Sequence, residues 1–376
     1  MFGNRTFSKK LAGLREQVGQ MLIMGFDGTE MSTKLRSTLA TLQPGGIILF
    51  ARNIEHPAQT WQLLRDCEDA VTTPPFLCVD LEGGTVDRLK NAIAPAPAAE
   101  DVFATGDKRL FRRHGRVIGD EVRALGFNVD FAPVSDLGFP AAKPVMTSRV
   151  VSDDPKQVVV YVREFLRGLE DADVLGCGKH FPGLGEANLD THKELPAIRK
   201  PWKRMWNEDL YPYRALKAQF PFVMVAHAAY PDVMKDKVPA TLSKKWMTDV
   251  LRKKIGYKGL ALCDDLEMGG VLAAASIGEA AVGTVCAGAD IYMACHGEEA
   301  VWNCFHAVLS EADRDRKFAR TVAERSARIL DFKRRSRAMK HRVPQPTQRV
   351  VDRLQRELWE FSEQVRLEAI VAEERA

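Results

Sequence analysis

Two side chains of complementary chemistry, Asp190 and His192, sit two residues apart in the glycine-rich stretch 179–196, KHFPGLGEANLDTHKELP. A carboxylate beside an imidazole favours the imidazolium and can fix the tautomer and orientation of the ring. That is the equipment for proton transfer near neutral pH. Taken alone, the D-x-H spacing has a stronger claim to be a structural pair or a pair of metal ligands. A second stretch, 259–268 (GLALCDDLEM), is an apolar run that ends in two adjacent carboxylates, Asp264 and Asp265. Successive residues of a strand point to opposite faces, so one of the two is expected at the functional end. A carboxylate there can attack a sugar, bind a metal or pair with a cation. A third stretch, 78–90 (CVDLEGGTVDRLK), places Asp80 before a Gly83–Gly84 turn and Arg88 beyond it. Asp and Arg offer directional acceptors and donors to a hydroxyl-rich ligand. Neither the dinucleotide nor the Walker glycine spacing is present.

The elements that must carry these groups repeat along the chain. Eight short apolar runs occur at 20–26, 46–50, 75–80, 128–133, 174–181, 222–227, 259–264 and 290–295. They read as parallel strands covered on both faces. Longer stretches of helical period separate them; 154–171 begins with an Asp-Pro start signal. This alternation predicts an α/β barrel or a doubly wound sheet. Several runs end in ionisable residues: Asp80, Lys179 with His180, His227, and Asp264. The carboxyl ends of barrel strands are where active sites are built.

The 376 residues are 45% hydrophobic and carry a formal net charge of only +4, which gives no reason to expect nucleic acid as a partner. The seven cysteines are odd in number, form no C-x-x-C pair and lie partly in apolar runs, as in a reducing compartment. No signal peptide or membrane-spanning run is visible, so the expected location is cytoplasmic. No metal, nucleotide or redox cofactor is implied by any motif. Beyond residue 332 a basic run, KRRSRAMKHR, reads as a solvated linker. After it, Val351, Leu354, Leu358, Phe361 and Val365 form the seam of a short amphipathic helix. Docking on the body of the protein is the expected use of that seam, with homodimerisation as the alternative. The chain therefore divides into residues 1–332 and an extension, 333–376.

Several stretches together resemble the family 3 glycoside hydrolases of the NagZ-type β-N-acetylglucosaminidase branch. They are GGIILFARNI (45–54), VDLEGGTVDR (79–88), NVDFAPVSDL (128–137), GKHFPGLGEANLDTHKELP (178–196), VMVAH (223–227), PATLS (239–243) and CDDLEM (263–268). The resemblance covers roughly residues 15 to 332 and implies a single (β/α)8 TIM barrel. It implies Asp264 as nucleophile, His192 as acid/base and Asp190 as the partner of that histidine. Asp80, Arg88, Arg149, Lys179 and His180 would hold the N-acetylglucosamine ring, with His227 lining the same pocket. The implied substrate is a peptidoglycan-derived saccharide processed during cell-wall recycling, with no cofactor. The sequence departs from the family at Leu184, where a histidine is usual, at Thr85, where an arginine is usual, and mildly at Thr191 for serine. These changes bear on substrate range rather than on the chemistry. Other readings keep the scaffold: a phosphorylase, a lyase using Lys179 as a Schiff base, or a silent sugar-binding module.

Overall fold

The computed structural model describes residues 13–374 apart from Asn188, His192 and Asp236. Its strands are β1 (Leu22–Met24), β2 (Gly46–Ile48), β3 (Phe76–Val79), β4 (Leu81–Gly83), β5 (Val86–Asp87), β6 (Val129–Asp130), β7 (Cys177–Phe181), β8 (Phe222–Val225), β9 (Leu260–Asp265) and β10 (Ile291–Ala294). Eight of them form one parallel sheet in the order β6-β3-β2-β1-β10-β9-β8-β7. The two ends of that sheet meet through isolated parallel bridges, Val129 with Leu175 and Val134 with Lys179. The sheet is thus a closed (β/α)8 barrel. Each of the eight apolar runs coincides with one barrel strand, β9 reaching one residue further to Asp265, because each is buried from both sides. β4 and β5 form a separate antiparallel hairpin on top of β3.

Helices cover the outside. The Pro155–Asp171 helix starts where expected, with Asp154 capping the N–H of Lys156 and Pro155 in the first turn. It crosses the Lys108–Ala124 helix very closely: a Cβ on Gly115 would lie 2.0 Å from the carbonyl oxygen of Phe165. These two helices back the place where the barrel closes.

The extension behaves differently from the linker expected of it. Lys333 belongs to the last turn of the Arg316–Arg335 helix and is buried, its Nζ 3.0 Å from Gln20 Oε1 and 4.8 Å from the centre of the Phe76 ring. Burial pulls its pKa down to about 7. The basic residues that follow it, from Arg334 to Arg342, are exposed. Val351, Leu354, Leu358, Phe361 and Val365 are all buried within the chain. The Phe361 ring lies 5.7 Å from that of His114, tilted by 33°, and Gln355 donates to the carbonyl of Ile93 at 3.0 Å. The seam is consumed by docking, which leaves none of it for a second copy. All seven cysteines are free thiols, six of them buried. Among the described residues no helix is long and apolar enough to cross a membrane.

One buried group on the Lys108–Ala124 helix stands out energetically. Both carboxyl oxygens of Glu121 are buried without a hydrogen-bond partner among the described residues. Burial, reinforced by Asp87 and Asp130, pushes its pKa well above the ordinary range. The folded state therefore holds this proton more tightly than the unfolded state. The stability it supports is complete below the unfolded pKa, about 4.3, and drains away as pH rises through the folded value. Replacing Glu121 by Met should raise stability at pH 8 by roughly 1–3 kcal/mol and by less at pH 5. Urea unfolding of both proteins at the two pH values checks this; a gain that shrinks toward pH 8 would contradict it.

Candidate active site

A cavity of about 320 Å³ opens at the carboxyl ends of the barrel strands. Of the residues singled out by sequence, Asp80, Arg88, Arg149, Lys179, His180, Asp190 and Asp264 line it. Asp80 follows the end of β3, Lys179 and His180 lie within β7, and Asp264 stands at the end of β9. Arg149 comes from a short turn after β6 and Arg88 from just beyond the hairpin. Gly83, at the hairpin turn, has φ +84°, and a Cβ there would meet the carbonyl oxygen of Pro97 at 2.1 Å. Glycine is required for the chain to turn back over the cavity.

The floor is a chain of alternating charges. Glu82 accepts two hydrogen bonds from Arg149, from Nε at 2.7 Å and Nη2 at 2.9 Å. Lys179 Nζ lies 2.6 Å from Glu82 and 2.9 Å from Asp80. Burial would raise the pKa of Glu82, but the Arg149 and Lys179 charges and their hydrogen bonds outweigh it and hold the carboxyl far below its ordinary range. Burial disfavours the ammonium of Lys179, yet Asp80 and Glu82 overcompensate and raise its pKa. Its amine is a fixed cation, not the free nucleophile a Schiff-base lyase needs. His180 is fixed by Asp136, whose Oδ2 lies 2.7 Å from Nδ1 and whose Oδ1 accepts from the N–H of Leu184 at 2.7 Å. With Nδ1–H directed to the carboxylate, Nε2 is the ring atom left for the cavity.

Asp264 and Asp265 part company at the end of β9. Asp264 is half-buried and its Oδ1 accepts the N–H of Asp265 at 2.9 Å. Burial raises its pKa, but His180, His227, that N–H and Lys179 together bring it below the ordinary value. It is an ionised carboxylate in a cavity. Asp265 turns to the backbone of Cys295 and Glu267 and to the ring of His296.

His227 is not where the family pattern suggested. It is fully buried behind the end of β9 and absent from the cavity wall, with Nε2 2.8 Å from the carbonyl oxygen of Asp265 and Nδ1 2.8 Å from Thr241 Oγ1. Both ring nitrogens are occupied, and burial lowers its pKa. It supports the β9 turn rather than a ligand. His192 lies outside the described residues. Its neighbours Asp190 and Thr191 are on the loop that borders the cavity, and the carbonyl of Thr191 accepts from Gly270 at 3.1 Å. Leu184 is a buried part of the cavity wall, whereas Thr85 is exposed at the hairpin tip, 3.5 Å from Thr147.

Sequence reasoning missed Glu82, Asp136 and His296. Glu82 had a usable signal, two residues after Asp80 in extended chain and so on the same face. Asp136 had none, since its partner His180 is 44 residues away.

A barrel with ionisable and hydrogen-bonding groups gathered at the carboxyl ends of its strands has the layout of a barrel enzyme, and sequence comparison gives the class. The family model described as the glycosyl hydrolase family 3 N-terminal domain matches residues 13–332. A β-hexosaminidase of Xanthomonas oryzae pv. oryzae is 33% identical over 285 residues, covering 74% of this chain and 84% of the relative. One from Alkalilimnicola ehrlichii is 35% identical over 288 residues, covering 74% and 82%. Among solved structures, a family 3 β-N-acetylglucosaminidase from a Paenibacillus species superposes with a TM-score of 0.87 at 32% identity, covering 93% of this chain and 68% of that one. Native NagZ from Neisseria gonorrhoeae gives 0.69 at 26%, covering 82% and 97%. The chain belongs to glycosyl hydrolase family 3, and it is a glycoside hydrolase.

The shared dependence of Arg149 and Lys179 on Glu82 makes a sharp expectation. Glu82→Ala leaves two buried cations without their common anion and should cost roughly 3–5 kcal/mol of stability, read by denaturant unfolding. A loss no larger than that of an exposed ion pair would show that the cations find other partners.

Proposed function

We propose that this protein is a retaining β-N-acetylglucosaminidase. The observation that carries the reading is the carboxylate of Asp264 at the end of β9, in one cavity with Asp80, Arg149, Lys179 and His180. The β-hexosaminidase names of its relatives support the same sugar. Asp80, Arg88, Arg149, Lys179 and His180 hold the N-acetylglucosamine ring. Asp264 attacks the anomeric carbon, and the bond to the leaving oxygen breaks through an oxocarbenium-like transition state. His192, charged and paired with Asp190, gives its proton to that oxygen. Neutral after this step, it takes a proton from the water that hydrolyses the glycosyl ester, and Asp264 is released as carboxylate. His227 braces the turn that carries Asp264. The substrate we assign is a cytoplasmic peptidoglycan fragment, N-acetylglucosamine joined to an anhydro-N-acetylmuramic acid, met during cell-wall recycling.

Two experiments test the roles. Wild-type enzyme acting on a chromogenic β-N-acetylglucosaminide should release the β-anomer first, followed by NMR, and Asp264→Asn should abolish turnover. An α-product or an active variant would overturn the assignment. His192→Ala should slow a natural disaccharide by roughly 10²–10⁴-fold, the usual worth of a general acid, and an aryl glycoside with a good leaving group much less. Equal losses on both would rule out the proton-donor role.

A further inference from the structure

The side of the cavity built by the Asp190 loop and its neighbours is unlike the charged floor. Pro144, Val145, Leu184, Ala187, Leu189 and Met268 line it, and none of them offers a charge or a side-chain hydrogen-bond donor. Leu184 and Ala187 are buried, Val145 is half-buried, and Leu189 keeps 37% of its surface exposed. The loop sorts its side chains by chemistry. Glu186, between the two buried apolar residues, stays off the cavity wall and accepts from Arg204 Nη2 at 2.8 Å. Leu184 is also a position at which the chain departs from the usual histidine of its family.

Backbone contacts hold this apolar surface in place. The N–H of Leu184 donates to Asp136 Oδ1 at 2.7 Å, and that of Ala187 to the carbonyl of Leu184 at 2.8 Å. Gly185 seats the loop after β7 against the loop after β6. A Cβ on it would lie 2.7 Å from the carbonyl oxygen of Leu137 and 3.1 Å from the Phe139 ring. The loop after β6 runs on into the Lys143–Met146 turn, which carries Val145. That turn is anchored in a small apolar cluster of Val134, Ala142, Met146 and Val150, separate from the main core. Met268 completes the wall from beyond β9, two residues before Gly270, whose N–H is bound by Thr191. The wall therefore lies along the loop that carries Asp190 and His192.

We propose that this wall is the subsite for the leaving group, and that it selects an aglycone presenting hydrocarbon surface beside the glycosidic oxygen. The proposal rests on the glycosidase reading of the cavity, with His192 as proton donor. Leu189 immediately precedes Asp190, so a group that takes its proton from this loop departs along it. Side chains without donors or acceptors cannot answer a hydroxyl that loses its water on binding, and a hydroxyl-rich aglycone is penalised there. Carbon–hydrogen surface gains from the same burial. An anhydro sugar meets the condition, because its internal ether has consumed two hydroxyls.

The test measures kcat/KM on methyl, butyl and hexyl β-N-acetylglucosaminides, whose alkoxide leaving groups have nearly equal basicity, for wild type, Val145→Ser and Leu189→Ser. A methylene laid on a one-sided wall should be worth about twofold, against roughly fourfold for full burial. Wild type should then favour hexyl over methyl about thirtyfold. Each variant should bring that ratio down to about tenfold or less. The ratio is taken within one protein, so a general loss of activity or of folded enzyme cancels, and the two substitutions lie on different loops. Calorimetry with the matching alkyl thioglycosides, which bind without being cut, should give the same rise and the same losses. Wild type that cleaves none of the series, yet binds the longer thioglycosides more tightly through Val145 and Leu189, would sink the glycosidase reading and leave the apolar subsite standing. A flat series in wild type, or a ratio untouched by both substitutions, would overturn the subsite. So would a gain that follows lengthening of the N-acyl group instead of the aglycone, since the wall would then belong to the acetamido side of the ring.

Discussion

The site depends on one buried carboxylate. Glu82 is where a guanidinium from beyond β6 and an ammonium from β7 meet a hairpin from beyond β3. Taking such charges out of water is expensive, and only close pairing with several hydrogen bonds repays it. The alternation Asp80, Lys179, Glu82, Arg149 satisfies that condition with two charges of each sign. It also holds the Lys179 amine as a paired cation in the cavity that Asp264 lines.

The division of labour at the end of β9 arises where its pairing with β10 shifts register, between Ile291 and Met293. Asp264 and Asp265 are adjacent and chemically identical and both border the cavity, yet it is the hydrogen bonds of Asp265 that organise the loop after β10. His227 sits behind them and fixes the Asp265 carbonyl.

Much of this was legible in the sequence, for identifiable reasons. Strands buried on both faces cannot hide their apolar runs, so seven barrel strands fall within the expected stretches and β9 overruns its own by one residue, Asp265. Ionisable residues at strand ends pointed to Asp80, Lys179, His180 and Asp264, since a barrel has one functional rim. What the sequence concealed was long-range pairing. Nothing local links Asp136 to His180 or Asp265 to His296. His227 looked like its neighbours at the strand end, and only the packing of Thr241 and Asp265 around it reveals a supporting role. In the basic run only Lys333 departs from the solvated reading that its charge suggested, using its stem and a single amide partner to lie inside.

The docked C-terminal helix changes what counts as the outside of this barrel. Its seam converts the outer flank of the Lys108–Ala124 helix, ordinarily the last layer before water, into interior around His114 and Phe361. The outer skin of the molecule is moved one helix further out, to a face carrying Trp359, Leu367 and Ile370. Shortening the chain before this helix would therefore do more than remove residues: it would expose apolar ground that the barrel was never shaped to show.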